Sequence, residues 1–517
     1  MKILGINYSP HDSGISYIED GNIKYALEEE KFTGIKSVFN QWVFPEKCLE
    51  FLIKKEQIDI NDIDSFIFSK PVIRDQFLRF PHDKIEFVSH HKSHILGSYF
   101  TSGFTGKVLS VSHDGKGETS RGRIYLCEDG NYTEVHNQRI PTTASIAGIW
   151  GLATFFLGWK ILKDEGKVVG LAAHGKFDKK IYKQIKSCLY YGGDFNFYPS
   201  GWESRFLYFY GKYENEFISN KNFRNNFAFT LQYITEEIFK EFLLDLRTSF
   251  PEYNKICFSG GLFANVKLNQ MINNSGLFDE IFIHPAMGDS GLALGAAISK
   301  AVEVGDITSP LRLQDSYLGE SFSKKEWDKH LKDFTVKPLD IKKVGKYLDE
   351  GKIIGLFQGR TEYGPRALGN RSIICKPTEK DTHKELNERL KRTEIMPFAP
   401  SILEEYFEDV YEENKSKYSA EFMTLCFNVN PNWLDKLPAV TQELDRSGRP
   451  QIVKKTSNPL YYKIINEYRK ISNIPVVLNT SFNAHGEPIN NYPHQVLKHL
   501  KEGIIDMIVT ENYIITK

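Results

Sequence analysis

Two histidines four residues apart, His90 and His94 in VSHHKSHILGSYF, are the first residues of this 517-residue chain whose spacing suggests chemistry. On a helix that spacing puts both imidazoles on one face, where together they can grip a divalent ion; His91 then points elsewhere. Asp114 in HDGKGE and Asp289 in MGDSG each sit at a glycine turn and can complete a mixed nitrogen and oxygen site. Glycines beside those aspartates let backbone approach a phosphate closely. His11 and Asp12, in HDSG at the exit of the first apolar run, have the makings of a base and its orienter. SGGLFAN, Ser259 to Asn265, is a Gly-Gly turn into a helix start, suited to an anion or a nucleotide. Taken singly, each also has a plainer reading as polar surface or an ordinary turn.

The second half carries a different chemistry. GRTEYGPRALGNRSI brings Arg360, Arg366 and Arg371 into one glycine-broken segment, and arginine forks match phosphate oxygens. NTSFNAHGEPI adds amides and hydroxyls after an apolar strand, suited to a small polar ligand. Read from residues alone, the chain is an enzyme with two sites that uses ATP and a phosphorylated substrate and holds a metal.

The elements that must position these groups form an α/β pattern. KILGINY, a turn, ISYIED, a turn at Asp20-Gly21 and NIKYALEEE read as strands and a hairpin. KVLSVSHDG is a second strand with a glycine turn, and RGRIYLCEDGNYTEVHNQ a following hairpin. KICFSGGLFANVKLNQMI and EIFIHPAMGDSGLALGAAISKAV both read as strand, turn, helix. Strands that deliver Gly- and Asp-bearing turns to helix starts suggest a nucleotide-binding α/β architecture. The stretch from Tyr190 to Glu252 is aromatic and polar, with an amphipathic helix around Phe229 to Leu246. The pattern breaks around Ile307 to Glu326, so the chain is divided there into 1–315 and 316–517. KIIGLFQG, IPVVLNTSF and MIVTENYIIT supply the second domain's strands.

Lys+Arg and Asp+Glu both number 66, so no global field favours nucleic acid or an anionic membrane. The six cysteines form no CxxC pair or framework, which fits reduced thiols in a cytoplasmic enzyme. No stretch approaches the roughly 20 apolar residues of a membrane span, so no membrane partner is expected. An oligomeric state cannot be read from the sequence.

Nearly end to end, the sequence resembles the NodU/CmcH family of O-carbamoyltransferases. The resemblance is carried, in order, by KILGINYSPHDSG, LEEEKF, HHKSH, HDGKGE, DEGKVVGLAAHGK, CFSGGLFANVKLN, GDSGLALGAA, EYGPRALGNRSI, MPFAPSIL and NTSFNAHGEPI. It implies an N-terminal domain of the actin and sugar-kinase (ASKHA) type and an α+β, YrdC-like C-terminal domain. It also implies the reaction: carbamoyl phosphate and Mg-ATP give carbamoyl adenylate, which passes to the N-terminal site, where an acceptor hydroxyl attacks. By position, His90, His94, Asp289 and Asp114 are implied as metal ligands, with iron expected first and manganese or zinc as alternatives. Asp114, Gly115, Gly260, Gly261 and Asn265 are implied at the nucleotide. Glu165 and Lys167 line the transfer site beside His11 and Asp12, and Arg366, Arg371, Arg449, Asn479 and Ser481 hold carbamoyl phosphate.

The sequence departs from the family pattern at Lys31, where EER reads Glu29-Glu30-Lys31, at Met396 before Pro397, and at Gln442 in place of a histidine. The rival readings are an ASKHA-type kinase, a tRNA threonylcarbamoyl-type transferase and a nucleotide-gated scaffold; none accounts for both halves. The acceptor is open between a sugar, another small molecule and a hydroxymethylated pyrimidine in DNA. The DNA reading rests on a Lys-, Asn- and Tyr-rich composition and on the aromatic and basic stretch from Tyr190 to Arg224, with Trp202, Arg205, Lys212 and Lys221.

Overall fold

The structure is a computed structural model that describes residues 1–36, 43–71, 77, 79–391, 398–412 and 416–517. Met396 and Pro397 therefore lie outside the described residues. The chain forms two compact units: Met1–Lys24 with Ser37–Leu313, and Tyr25–Lys36 with Gln314–Lys517. A division into two contiguous pieces misses the excursion of Tyr25–Lys36, which contains helix α1 (Glu29–Thr33). Its physical reason is Lys31, buried at 4% exposure, whose ammonium pairs with Glu28 and donates to the carbonyls of Glu362 (2.7 Å) and Gly364 (2.9 Å).

In the first unit the run KILGIN is strand β1 (Lys2–Asn7), buried on both faces as a central strand must be. It pairs antiparallel with β2 (Gly14–Glu19), and β3 (Asn22–Glu28), whose residues from Tyr25 onward count with the second unit, follows the Asp20-Gly21 turn. On the far side β4 (Ser65–Phe68) and then β5 (Ile85–Phe87) add in parallel, giving the order β3-β2-β1-β4-β5. A second sheet repeats this plan. Strands β6 (Lys107–His113), β7 (Ser120–Glu128) and β8 (Asn131–Arg139) lie side by side. After a short ribbon of β9 (Tyr190–Tyr191) and β10 (Phe197–Tyr198), β11 (Lys255–Ser259) and β12 (Glu280–Ile283) add in parallel on the far side of β6. One strand order occurring twice, with parallel strands joined through helices, is the duplicated plan of the actin and sugar-kinase fold that the resemblance implies.

Helices fill the connections: α2 (Glu46–Glu56), α3 (His90–Ser102), α4 (Ile146–Phe156), α5 (Glu165–Ala172), α6 (Lys179–Lys186), α7 (Trp202–Ser219), α8 (Lys221–Ser249), α9 (Val266–Asn274) and α10 (Leu292–Glu303). The amphipathic helix expected at 229–246 is the middle of the 29-residue α8, and α7 before it was not legible. Its apolar residues explain why. Trp202, Phe206, Phe209 and Phe217 form one buried stripe at helical spacing, and the phenylalanines pack on Phe156 and Phe227, but Leu207, Tyr208 and Ile218 on the exposed side hide that stripe in the sequence. Tyr208 is the most exposed of them, at 75%.

Helix α10 is packed so closely on its neighbours that two glycines are obligatory. A Cβ on Gly5 would stand 2.0 Å from the Ala293 carbonyl oxygen, and one on Gly295 would stand 1.9 Å from that of Ser93. Ser93 lies between His90 and His94, so the α3–α10 spacing sets where the two imidazoles stand. Gly295→Ala is expected to push the helices apart, lowering stability by about 3 kcal/mol, as overpacking does. A thermal melt together with metal content checks this, since both should fall.

The second unit is α+β, with an eight-stranded mixed sheet. Its strands are β13 (Thr335–Pro338), β14 (Ile354–Phe357), β15 (Arg371–Cys375), β16 (Ala399–Leu403), β19 (Gln451–Val453), β20 (Val476–Ser481), β21 (Met507–Val509) and β22 (Tyr513–Thr516). Their order is β13-β22-β21-β14-β15-β20-β16-β19, and a small ribbon of β17 (Phe427–Asn428) and β18 (Ser447–Gly448) stands apart. No helix among the described residues of either unit is long and apolar enough to cross a membrane.

Candidate active site

Helix α3 begins at His90, so the first residue and the fifth present their rings on one face, 4.8 Å apart between centroids. Asp114 follows β6 directly, and Asp289 opens the short turn before α10. These four residues each aim a donor atom into one spot, all within 4.8 Å of one another. His90 Nε2 stands 3.5 Å from Asp114 Oδ2 and 3.6 Å from Asp289 Oδ1; His94 Nε2 stands 3.2 and 3.6 Å from the same atoms. Ligand bonds of about 2.1 Å place neighbouring donors of a tetrahedron about 3.4 Å apart. The donors therefore fit a divalent transition ion. His90 Nε2 supplies a second test: it is buried and has no hydrogen-bond partner within the protein. His94 Nδ1 lies 3.0 Å from Ser259 Oγ, an outer contact of the kind that fixes a ligating ring.

Burial alone would depress the His94 pKa, but Asp114 and Asp289 raise it to about 9. Burial likewise pushes the Asp114 carboxyl up, and His90 and His94 outweigh it, holding Asp114 well below the carboxylate range. A pair of anions and a pair of imidazoles thus compensate one another where a cation would sit. His91, as its spacing predicts, faces away: its nitrogens lie 3.0 Å from Ser112 Oγ and 3.0 Å from the Ser120 carbonyl oxygen.

His11 and Asp12 stand beside this cluster. Nδ1 of His11 lies 3.2 Å from Asp12 Oδ2, and its Nε2 lies 3.6 Å from Asp289 Oδ2. Burial lowers the His11 pKa, but Asp289 and Asp12 more than offset it, to about 9. Glu165, at the start of α5, accepts from the Leu162 amide at 2.6 Å; burial raises its pKa, with Asp164 and Asp12 adding to the effect. Lys167 is ion-paired to Asp164 at 3.1 Å.

The glycine turns have structural duties. Gly260 takes φ +108°, where a Cβ would stand 2.2 Å from the His113 carbonyl oxygen, so the tight exit of β11 requires it. Gly261 lies against Asp114, 3.0 Å from a would-be Cβ to Oδ1, and Gly115 donates to that carboxylate at 2.6 Å. Asn265 caps α9, accepting from the amides of Lys267 and Leu268, and donates to Gln232. Its side-chain oxygen is thus given to the helix end.

Three further members of the site were not singled out in the sequence, although Asn7 stands within KILGINYSPHDSG and Glu118 within HDGKGE. Glu118 accepts from the His90 amide at 2.9 Å, tying the HDGKGE loop to the start of α3. Lys70 follows β4; burial lowers its pKa, while Asp289 and Glu118 act in the opposite sense. Asn7 closes β1 and donates to two loops of the site. Asn7 and Lys70 reach the Asp289 turn, and Glu118 the start of α3, across separate elements, approaches that the packing of the fold reveals.

In the second unit the arginine segment wraps around a carboxylate. Glu362 Oε1 accepts from the amides of Leu368 (2.8 Å), Asn370 (2.8 Å) and Arg371 (3.0 Å). Arg371, fully buried, donates to the carbonyls of Gln358, Gly359, Asn370 and Glu320 and stacks on Phe357. Arg360 likewise donates to the carbonyls of Gly319 and Leu318. Arg371→Ala should therefore destabilise the protein by about 3 kcal/mol or more, because several carbonyls lose a charged donor; urea unfolding measures it. Asn479 donates to Ala367, Ser401 and Gln451, and the Ser481 hydroxyl to Asn483. Arg366 behaves differently. Its Nε is buried without a partner, and burial, then the charge of Arg449, depresses its pKa well below the usual guanidinium value. Arg449 is depressed by burial as well.

Two family models cover the chain: the carbamoyltransferase N-terminus matches residues 2–79 and 72–298, and the carbamoyltransferase C-terminus matches 345–517. The chain belongs to the carbamoyltransferase family. Among its relatives is an uncharacterized protein of Methanocaldococcus jannaschii, 32% identical over 84% of this chain and 74% of its own length. Nodulation protein NolNO of Sinorhizobium fredii is 27% identical over 98% of this chain and 79% of its own. Nodulation protein NolO of Bradyrhizobium diazoefficiens is 30% identical over 83% and 79%. The four-donor cluster lies within the part matched by the carbamoyltransferase N-terminus, and Arg366 and Arg449 within the part matched by the carbamoyltransferase C-terminus.

Proposed function

We propose that this carbamoyltransferase works in two half-reactions, with carbamoyl adenylate between them. Carbamoyl phosphate, ATP and water would give carbamoyl adenylate, phosphate and pyrophosphate in the YrdC-like second unit. An acceptor hydroxyl would then attack the carbamoyl carbon in the first unit, and AMP would leave. The observation that carries the reading is the convergence of His90, His94, Asp114 and Asp289 beside His11 and Asp12 in a chain of this family.

His90, His94, Asp114 and Asp289 would hold the divalent ion, iron first with manganese or zinc as alternatives; bound there, it supplies positive charge to the departing phosphate. A cation held by Asp289 would cancel the charge that chiefly raises the His11 pKa, so that a neutral His11 would be placed to take the acceptor proton, with Asp12 holding its Nδ1 side. Asp12 itself is the second candidate for the base. Gly115, Gly260 and Gly261 would leave room for the nucleotide close to backbone, with Asn265 ordering the helix behind them. Glu165 and Lys167 would form the wall nearest Asp12. Arg366 and Arg449, two cations in a poorly solvated setting, would receive carbamoyl phosphate together with Ser481, while Arg371 and Asn479 would shape the pocket.

A hydroxyl-bearing small molecule is the acceptor class favoured, because Phe197, Trp202, Phe206, Phe209 and Phe217 are core and only Tyr190 and Tyr208 among the rings of 190–224 are well exposed for stacking on DNA bases. The test is release of AMP and pyrophosphate that requires carbamoyl phosphate, followed by mass analysis of an acceptor panel. Sugars, aminocyclitols and hydroxymethylcytosine DNA belong on that panel. Pyrophosphate release indifferent to carbamoyl phosphate would sink the proposal.

A further inference from the structure

We infer that Asn7 is a positioning residue of the transfer site, tying the loop that carries His11 and Asp12 to the turn that carries Asp289. The inference rests on reading that site as metal-binding. Asn7 is the last residue of β1 and is fully buried. Its Nδ2 donates to the Asp12 carbonyl at 2.8 Å and to the Asp289 carbonyl at 2.9 Å, and its Oδ1 accepts from Ser69 Oγ at 2.8 Å. Both amide hydrogens are committed, so Asn7 acts through the residues it holds.

The three segments it joins come from separate parts of the fold. One is the β1–β2 turn, one the exit of β4, where Ser69 precedes Lys70, and one the turn before α10. Backbone already ties the exit of β4 to β1, with the Ser69 N–H donating to the Ile6 carbonyl at 3.0 Å, and the Asn7 side chain adds the turn before α10 to that pair. Asp12 needs such a tether, because it sits at φ +53°, in the left-handed region that a side chain disfavours. The same amide that anchors Asp12 anchors the backbone of a metal arm. The His11–Asp289 distance therefore depends on a residue that touches neither side chain.

Asn7→Asp keeps the shape and removes both donors, setting a carboxylate against two carbonyl oxygens. Cobalt(II) serves as the probe, because its visible spectrum reports the geometry of its ligands. The expected result in the full-length protein is a shifted cobalt spectrum and a roughly 10-fold or greater loss of cobalt affinity, the size seen for partners of metal ligands. Pyrophosphate release from carbamoyl phosphate and ATP should stay at the wild-type rate. Ser69→Ala, which leaves both donated bonds in place, should show the same spectral shift in smaller measure and decides the matter if Asn7→Asp does not fold. A folded Asn7→Asp protein with the wild-type spectrum and affinity overturns the inference. So does a spectrally normal Ser69→Ala protein if Asn7→Asp fails to fold, or a variant that loses cobalt and pyrophosphate release in equal proportion. Wild-type protein that binds no cobalt would instead remove the metal reading beneath it.

Discussion

Replacing His90 and His94 together by alanine should empty the four-donor cluster of its metal and lower carbamoyl transfer at least ~10³-fold, about 4 kcal/mol of transition-state stabilisation. Two of the four ligands are lost, and the two that remain are carboxylates that repel each other once the imidazoles are gone. The fold should survive. Helix α3 is held by Ile95, Leu96, Tyr99 and Phe100, all buried, and by the close approach at Gly295, none of which involves the histidines. Elemental analysis and a thermal melt make the check: metal content should fall to background while a cooperative transition persists. Metal retained at the wild-type level would show that the ligands lie elsewhere.

The second large effect separates the half-reactions. Arg366→Ala should reduce pyrophosphate release at least ~10²-fold, because a phosphorylated substrate would lose a charged, desolvated partner. Its effect on stability should have the opposite sign to that of most buried truncations. In the free protein Arg366 faces burial and the charge of Arg449, so its removal relieves both, and the melting temperature should hold or rise. Arg366→Lys should restore little, since a point charge cannot reproduce the planar fork. His11→Ala and Asp289→Ala should leave pyrophosphate release measurable while blocking transfer. Loss of pyrophosphate release in all three variants alike would mean one merged site.

The chemistry was more legible in the sequence than the scaffold that aims it. His90 and His94 could be paired by helical spacing alone, and Asp114 and Asp289 by their glycine turns. The arginine segment shows where such reasoning stops. Arg360, Arg366 and Arg371 look equivalent as phosphate forks, yet two of them donate to backbone carbonyls of their own unit. Residue type announces a guanidinium; only the path of the loop around Glu362 decides which carbonyls lie within its reach. Lys70 was invisible, and Asn7 and Glu118 stood within KILGINYSPHDSG and HDGKGE without a role, for a related reason. The Asp289 turn that Asn7 and Lys70 reach, and the start of α3 that Glu118 holds, belong to other elements, and no local pattern encodes such an approach. Helix α7 was missed because Leu207, Tyr208 and Ile218 lie on its exposed side and blur the contrast with the buried stripe of Trp202, Phe206, Phe209 and Phe217, although that stripe keeps helical spacing.

The excursion of Tyr25–Lys36 has a consequence for synthesis. Lys31 is translated early, but the Glu362 carbonyl that receives it comes 331 residues later. At a ribosomal pace of 5–20 residues per second, the segment waits roughly 15–65 s for that partner. The second unit therefore cannot be completed from its own contiguous coding stretch, however long the first has been folded. A gene cut at the Leu313–Gln314 junction would yield a carboxyl-terminal product without its Glu28–Lys31 ion pair, whereas supplying residues 25–36 as a separate peptide restores the missing piece in trans.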